Sequence, residues 1–199
     1  MNHTISGATI WFTGLPSAGK STLATGLAAM LSGPVEVLDG DVLRADFFPE
    51  LGFSPAERNE NVRRTGRMAL MLARHGVTVL VSVIAPYRES REWVRTLHER
   101  AGIRYAEVWV DASLDVCMER DVKGLYAKAR SGLLIGMTGL DDPYEPPTPA
   151  DLHLRTDRAS VPDCLSLLHA FVDGEASLAA YVVMDQERPG MDCTDDRDC

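Results

Sequence analysis

The chain has 199 residues, 45% hydrophobic and 25% charged, the balance of one globular α/β domain that buries a full core without staples. Its formal net charge of −9 speaks against a general nucleic-acid or membrane-surface binder, so an anionic ligand needs a local basic cluster inside an acidic protein. No stretch approaches the roughly 20 apolar residues that span a bilayer, Met1–Gly7 lacks the basic start of a leader, and the four cysteines show no zinc spacing; a cytoplasmic protein is expected, without nucleic-acid or membrane partners.

Ala8–Thr13 is a short, β-rich apolar run ending at Gly14 and predicts a buried strand. A helix is predicted from near Gly19, with Leu23, Leu27, Met30 and Leu31 at helical spacing and a stop at Ser32-Gly33-Pro34. Val35–Leu38 predicts a second strand, followed by an Asp39-Gly40-Asp41 turn. Ser54-Pro55-Ala56-Glu57 is a capping box with proline at the first helical position, so a helix is expected to about His75-Gly76. Val77–Ile84 is apolar almost throughout, the pattern of a strand covered on both faces. Helix Arg88–Arg100, strand Tyr105–Asp111 and one helix over Leu114–Arg130 follow. A Gly/Pro-rich stretch covers Ser131–Pro149, and a strand near Asp151–Leu154 and a helix over Val161–Val172 come last. Cys117 and Cys164 stand alone inside periodic segments and read as buried free thiols. Residues 1–185 are expected to form one domain; 186–199, acidic and without period, read as a disordered tail that carries Cys193 and Cys199.

Gly14-Leu15-Pro16-Ser17-Ala18-Gly19-Lys20-Ser21 fits G-x-x-x-x-G-K-[ST] between a predicted strand and a predicted helix. The glycines let consecutive backbone N–H groups point at phosphate oxygens, and the helix presents its positive end to the same anion. Lys20 would reach the β- and γ-phosphates of ATP, and the Ser21 hydroxyl would ligate Mg²⁺. With strands alternating with helices, the fold class is α/β: a three-layer α/β/α domain of the P-loop NTPase type, with a central parallel sheet and a mobile lid over about 121–149.

Asp39 and Asp41 sit just past the second strand, at the sheet edge where open α/β folds bind ligands. Asp41 reads as acceptor of the attacking hydroxyl's proton and Asp39 as a magnesium ligand through water; the two could be exchanged. On the helix capped by Ser54, Arg58 and Asn61 share a face, suited to a phosphate or sulfate and to a base edge or hydroxyl. Arg63, Arg64 and Arg67 add charge. The basic run Arg120-Asp121-Val122-Lys123-Gly124-Leu125-Tyr126, with Lys128 and Arg130, reads as a lid that closes over ATP and excludes water.

Taken together, the phosphate loop, Leu38-Asp39-Gly40-Asp41 with Arg44, Leu51-Gly52-Phe53-Ser54, Arg58–Arg64, Pro86-Tyr87-Arg88, Arg120–Tyr126 and Thr138–Glu145 (TGLDDPYE) resemble the adenylylsulfate (APS) kinase family from about Thr9 to Thr156. The resemblance implies ATP- and Mg²⁺-dependent phosphorylation of the 3′-hydroxyl of adenylyl sulfate, in a homodimer. It implies that Gly14 through Thr22, with Arg120, hold ATP, and that Lys123 lies close to both nucleotides. It further implies that Arg44, Phe53, Arg58, Asn61, Ile84 and Met137 bind the acceptor, beside Asp41. Three positions depart from the family's usual pattern: Met137 stands where phenylalanine is usual, Ala85 where serine is, and Val42 where asparagine is. A related kinase acting on a different nucleotide-like or small alcohol is the alternative.

Overall fold

The computed structural model describes residues 7–174; the expected tail at 186–199, with Cys193 and Cys199, and the domain's expected last residues lie outside that range. In chain order the elements are β1 (Ala8–Thr13), α1 (Lys20–Met30), β2 (Val35–Asp39), α2 (Gly40–Asp46), α3 (Pro55–Arg74) and β3 (Thr78–Ser82). Then come α4 (Arg88–Arg100), β4 (Arg104–Asp111), α5 (Leu114–Arg120), α6 (Leu125–Arg130), β5 (Leu152–Arg155) and α7 (Val161–Asp173).

The strands form one five-stranded sheet in the order β2-β3-β1-β4-β5, and each neighbouring pair is parallel. Because side chains alternate along a strand, β1 feeds two cores at once. Ile10 and Phe12 point to one face, packed with Leu23 and Leu27 of α1 and Leu168 of α7. Trp11 points to the other face, packed with Val62 and Ala69 of α3 and Val94 of α4. All six β1 residues are buried, which is why the run reads as apolar with no polar face. The result is the expected three-layer α/β/α arrangement of the P-loop NTPase type. Its parallel strands deliver the turns after β1, β2 and β3 to one edge of the sheet, and the functional side chains collect there.

Two elements differ from the sequence expectation. The Asp39-Gly40-Asp41 turn opens a short helix, α2: the Asp39 carboxylate caps it by accepting the Asp41 N–H at 2.9 Å, and Leu43 anchors it at 2% exposure. The expected helix over Leu114–Arg130 is two helices. Asp121 at φ 24° and Gly124 at φ 65° break it, and the Asp121 carboxylate then accepts the N–H groups of Tyr126 (3.0 Å) and Ala127 (2.9 Å) at the start of α6. The break buries Tyr126 completely, and its hydroxyl donates to the Pro16 carbonyl at 3.1 Å. A helix-period pattern cannot reveal such a break, because both halves keep the period.

Candidate active site

Gly14 leaves β1 against β4 so closely that a Cβ there would lie 2.2 Å from the Val110 carbonyl oxygen. The chain then turns through left-handed Ser17 (φ 62°) and Gly19 (φ 106°), and space is open around the position a Gly19 Cβ would take. No side chain caps the N-terminus of α1, so its first N–H groups face the loop's hollow. Lys20, 9% exposed, donates from Nζ to the carbonyls of Gly14 (2.9 Å) and Leu15 (2.7 Å). Burial pushes its pKa down to about 8, nearby Lys123 adds to the shift, and Asp41 and Asp39 oppose it. A buried ammonium short of charge compensation, beside unpaired helix N–H groups, fits the phosphate tail of ATP.

Ser21 Oγ donates to Asp39 Oδ2 at 2.6 Å and lies 3.0 Å from Ser82 Oγ. Burial alone would raise the Asp39 carboxyl; the Ser21 hydroxyl, the N–H groups of Asp41 and Val42 and the charge of Lys123 outweigh it and hold the group below the usual carboxylate range. Among the described residues no group of three or more His, Cys, Asp or Glu side chains could hold a metal by itself. Two hydroxyls and one ionised carboxylate are instead the sparse, hard oxygen set of a magnesium ion that keeps waters and binds substrate phosphates. Ser21, Asp39 and the unassigned Ser82 thus fit Mg²⁺ bound together with ATP.

Asp41, in the first turn of α2, is largely exposed and meets the Lys123 ammonium from the break between α5 and α6. Behind α2, Arg44 Nη1 donates to the carbonyls of Leu51 (2.9 Å) and Gly52 (2.6 Å), and its guanidinium lies 4.6 Å from the centroid of the exposed Phe53 ring. Burial, then the neighbouring Arg58, lowers the Arg44 pKa, and the Asp41 and Glu57 carboxylates oppose the shift. Arg58 bonds Phe53 O (2.8 Å) and Thr138 Oγ1 (3.1 Å), and lies 3.3 Å from Asp142 Oδ2. It therefore ties α3 to the segment expected to be the lid. Asn61 is 7% exposed, and its Oδ1 has no hydrogen-bond partner.

One cavity of about 400 Å³ runs past nearly all of these groups. Pro16 through Thr22, Asp39, Asp41, Arg120 and Lys123 line one part; Arg44, Phe53, Arg58, Asn61 and Ile84 line another. Gly14 and Leu15 stand outside the lining and act through the carbonyls that hold Lys20. Met137 is the expected acceptor contact that the fold does not bring in. Its N–H and that of Gly136 are pinned by the Asp141 carboxylate (3.0 and 2.6 Å), and its side chain, 3% exposed, turns into the core that Ile10 and Phe12 share. Ala85, by contrast, lines the cavity. So do Thr156, Ala159 and Cys164, none of which the sequence marked as lining. Thr156 Oγ1 donates to the Ala18 carbonyl at 2.7 Å, and Arg120 Nη2 to Thr156 O at 2.6 Å, so β5 closes the loop's far side. Only the parallel pairing of β5 with β4 could announce that contact. Cys117 and Cys164 are buried free thiols, as expected.

The family model described as adenylylsulphate kinase matches residues 6–155, more than half of the chain. The chain belongs to the adenylylsulphate kinase family. It is 54% identical over 165 residues to the adenylyl-sulfate kinase of Synechococcus sp. (strain JA-3-3Ab), covering 81% of this chain and 92% of that one. It is 53% identical over 173 residues to the enzyme of the same name from Chloroflexus aurantiacus, covering 85% and 91%. Among solved structures, the APS kinase CysC of Mycobacterium tuberculosis, in complex with AMPPNP and APS, superposes with a TM-score of 0.81 at 42% identity, over 84% of this chain and 98% of that one. The hexameric APS kinase from Thiobacillus denitrificans gives 0.62 at 32% identity, over 86% and 30%. This adenylylsulphate kinase family member has, in its described residues, no helix long and apolar enough to cross a membrane.

Proposed function

We propose that the chain transfers the γ-phosphoryl group of ATP to the 3′-hydroxyl of adenylyl sulfate, giving ADP and 3′-phosphoadenylyl sulfate. The single observation that carries this reading is the continuous cavity with the phosphate loop in one part, the Arg44–Phe53–Arg58–Asn61–Ile84 set in another, and Asp41 on its wall. Gly14 through Thr22 and Arg120 hold the nucleotide, with Lys20 at its phosphates. Arg44 and Arg58 supply positive charge for an anionic acceptor, Phe53 a ring face for a base, and Asn61 an unpartnered polar atom for a base edge or hydroxyl.

The acceptor oxygen attacks the γ-phosphorus in line, the bond from that phosphorus to the ADP oxygen breaks, and the hydroxyl proton passes to an Asp41 carboxylate oxygen. When bound at Ser21 and Asp39, Mg²⁺ neutralises charge on the phosphate oxygens. Little covalent work falls to the protein, so positioning and preorganised charge from Lys20, Arg44 and Arg58 supply most of the barrier reduction. Lys123 adds its charge from the lid, which spans about 121–149 and excludes water when it closes over the nucleotides.

A second reading, a different nucleotide-like or small alcohol as acceptor, is favoured by one observation: Met137 faces the core and puts no side chain opposite Phe53. An ADP-release assay with adenylyl sulfate, AMP, adenosine and simple alcohols separates the two. A preference of at least about 10²-fold in kcat/KM for adenylyl sulfate over AMP is expected, since AMP lacks the sulfate that the arginines answer. Equal turnover of AMP would reject the first reading. A cytoplasmic homodimer of 1–185 domains belongs to the same proposal, and sedimentation distinguishes it from a hexamer.

A further inference from the structure

Beneath the part of the cavity read as the acceptor site lies a buried charge cluster that the phosphoryl transfer does not use. Arg91 of α4 is 2% exposed and engages three separate pieces of chain. Its Nη1 donates to the Ala85 carbonyl at 2.7 Å, and its Nη2 to the Glu145 carbonyl at 2.6 Å. Its Nε lies 2.8 Å from Oε1 of the buried Glu107 on β4, an ion pair bent too far for a hydrogen bond. Glu107 is held in turn: its N–H donates to Asp151 Oδ2 at 2.6 Å, and Arg95 bridges the Glu107 (3.7 Å) and Asp151 (2.6 Å) carboxylates.

What Arg91 grips is unusual backbone. Ala85 is a non-glycine residue at φ 44°, a conformation that lasts only where the surroundings impose it. Ile84, Ala85 and Pro86 line the cavity. Thr13 Oγ1 donates to the Ile84 carbonyl at 2.6 Å and sits 3.1 Å from the Tyr144 hydroxyl, while the Glu145 N–H donates to the Pro86 carbonyl at 2.9 Å. The cavity wall at 84–86 and residues 144–145 of the expected lid are therefore joined directly, by the Glu145 N–H on the Pro86 carbonyl, and again through the Arg91 guanidinium.

The geometry points to Arg91 as a positioning residue: braced by Glu107, its planar fork fixes the left-handed turn at Ala85 against the root of the lid, and so sets the wall that the acceptor meets. Lysine cannot take its place, because a single ammonium does not aim two donors at two separate carbonyls from the planar fork that also sets a charge beside the Glu107 carboxylate. The inference rests on the proposed function, which puts the acceptor at this wall.

The test is a double-mutant cycle with R91K and E107Q, read as separate KM values for adenylyl sulfate and ATP, with melting temperature in parallel. R91K is expected to raise the acceptor KM about tenfold, as for loss of a charged hydrogen bond, and to leave the ATP KM within about twofold. E107Q should raise the acceptor KM about threefold, and the double variant should be no worse than R91K alone, because both act through one guanidinium. A lower melting temperature with both KM values unchanged, a parallel rise of the two, or additive effects would each overturn the inference. Should R91K not fold, E107Q decides alone: an unchanged acceptor KM in that variant refutes it. Wild-type protein that fails to phosphorylate adenylyl sulfate instead removes the proposed function, so the two failures remain distinct.

Discussion

The Lys123 ammonium, between α5 and α6, contacts the Asp41 carboxylate at the start of α2, across 82 positions of sequence. The contact joins the expected lid to the expected proton acceptor. If Asp41 accepts the hydroxyl proton, D41A should lower kcat by about 10²-fold or more and change the ATP KM little. Steady-state kinetics check this, and near-normal turnover would reject the assignment.

Lys20 gives a pH dependence with a definite sign. The free protein holds its pKa at about 8 through burial, whereas a bound phosphate favours the charged ammonium and raises it. Below pH 8 both states are protonated and no linkage exists. As pH rises above 8 the free protein loses a proton that the bound state keeps, so binding takes one up. The Kd for Mg-ADP should weaken by up to about tenfold per pH unit there. Calorimetry in buffers of different ionisation enthalpy would show the proton uptake; a Kd constant from about pH 7.5 to about pH 9.5 would exclude it.

Arg58 is predicted to have two effects when removed. R58A should raise the acceptor KM by about tenfold or more through loss of a charged partner. It should also free residues 136–142 from α3, since the guanidinium bonds Gly136 O and Thr138 Oγ1 and pairs with Asp142. Limited trypsin digestion would then cut after Lys128 or Arg130 faster than in wild type. An unchanged digestion rate would mean that the segment is held by other contacts, such as the Tyr87 hydroxyl to Asp142 at 2.9 Å.

Gly66 of α3 faces Val94 of α4 across a tight contact: a Cβ there would come within 2.6 Å of Val94 Cγ2 and 3.0 Å of its Cγ1. Alanine normally favours a helix interior over glycine by about 1 kcal/mol. Here overpacking against a stiff, β-branched side chain should win, and G66A should destabilise by about 1–2 kcal/mol net. Adding V94A should make the alanine at 66 stabilising relative to V94A alone. Urea melts of the four proteins test this; a single G66A variant more stable than wild type would show that the helices move apart freely.

The sequence by itself determined the α/β class, the phosphate loop and its place between β1 and α1, because those depend on local steric rules: two glycines, a lysine and a serine at fixed spacing, after an apolar run. It also marked Ser54 as a helix cap, and the structure shows the full capping box with Glu57. Local rules did not extend to partners distant in the chain. That Asp121 and Gly124 would split one periodic segment, that Asp141 would pin the backbone at Met137 and turn its side chain inward, and that Thr156 would close the phosphate loop were settled only by tertiary structure. Each depends on where a parallel strand or a returning loop delivers a hydrogen-bonding group, and hydrophobic period carries no record of that. The same holds for Arg91: in sequence it is one more arginine on an amphipathic helix, and only the tertiary structure sets the Glu107 carboxylate of β4 beside it and the Ala85 and Glu145 carbonyls of two loops against its fork.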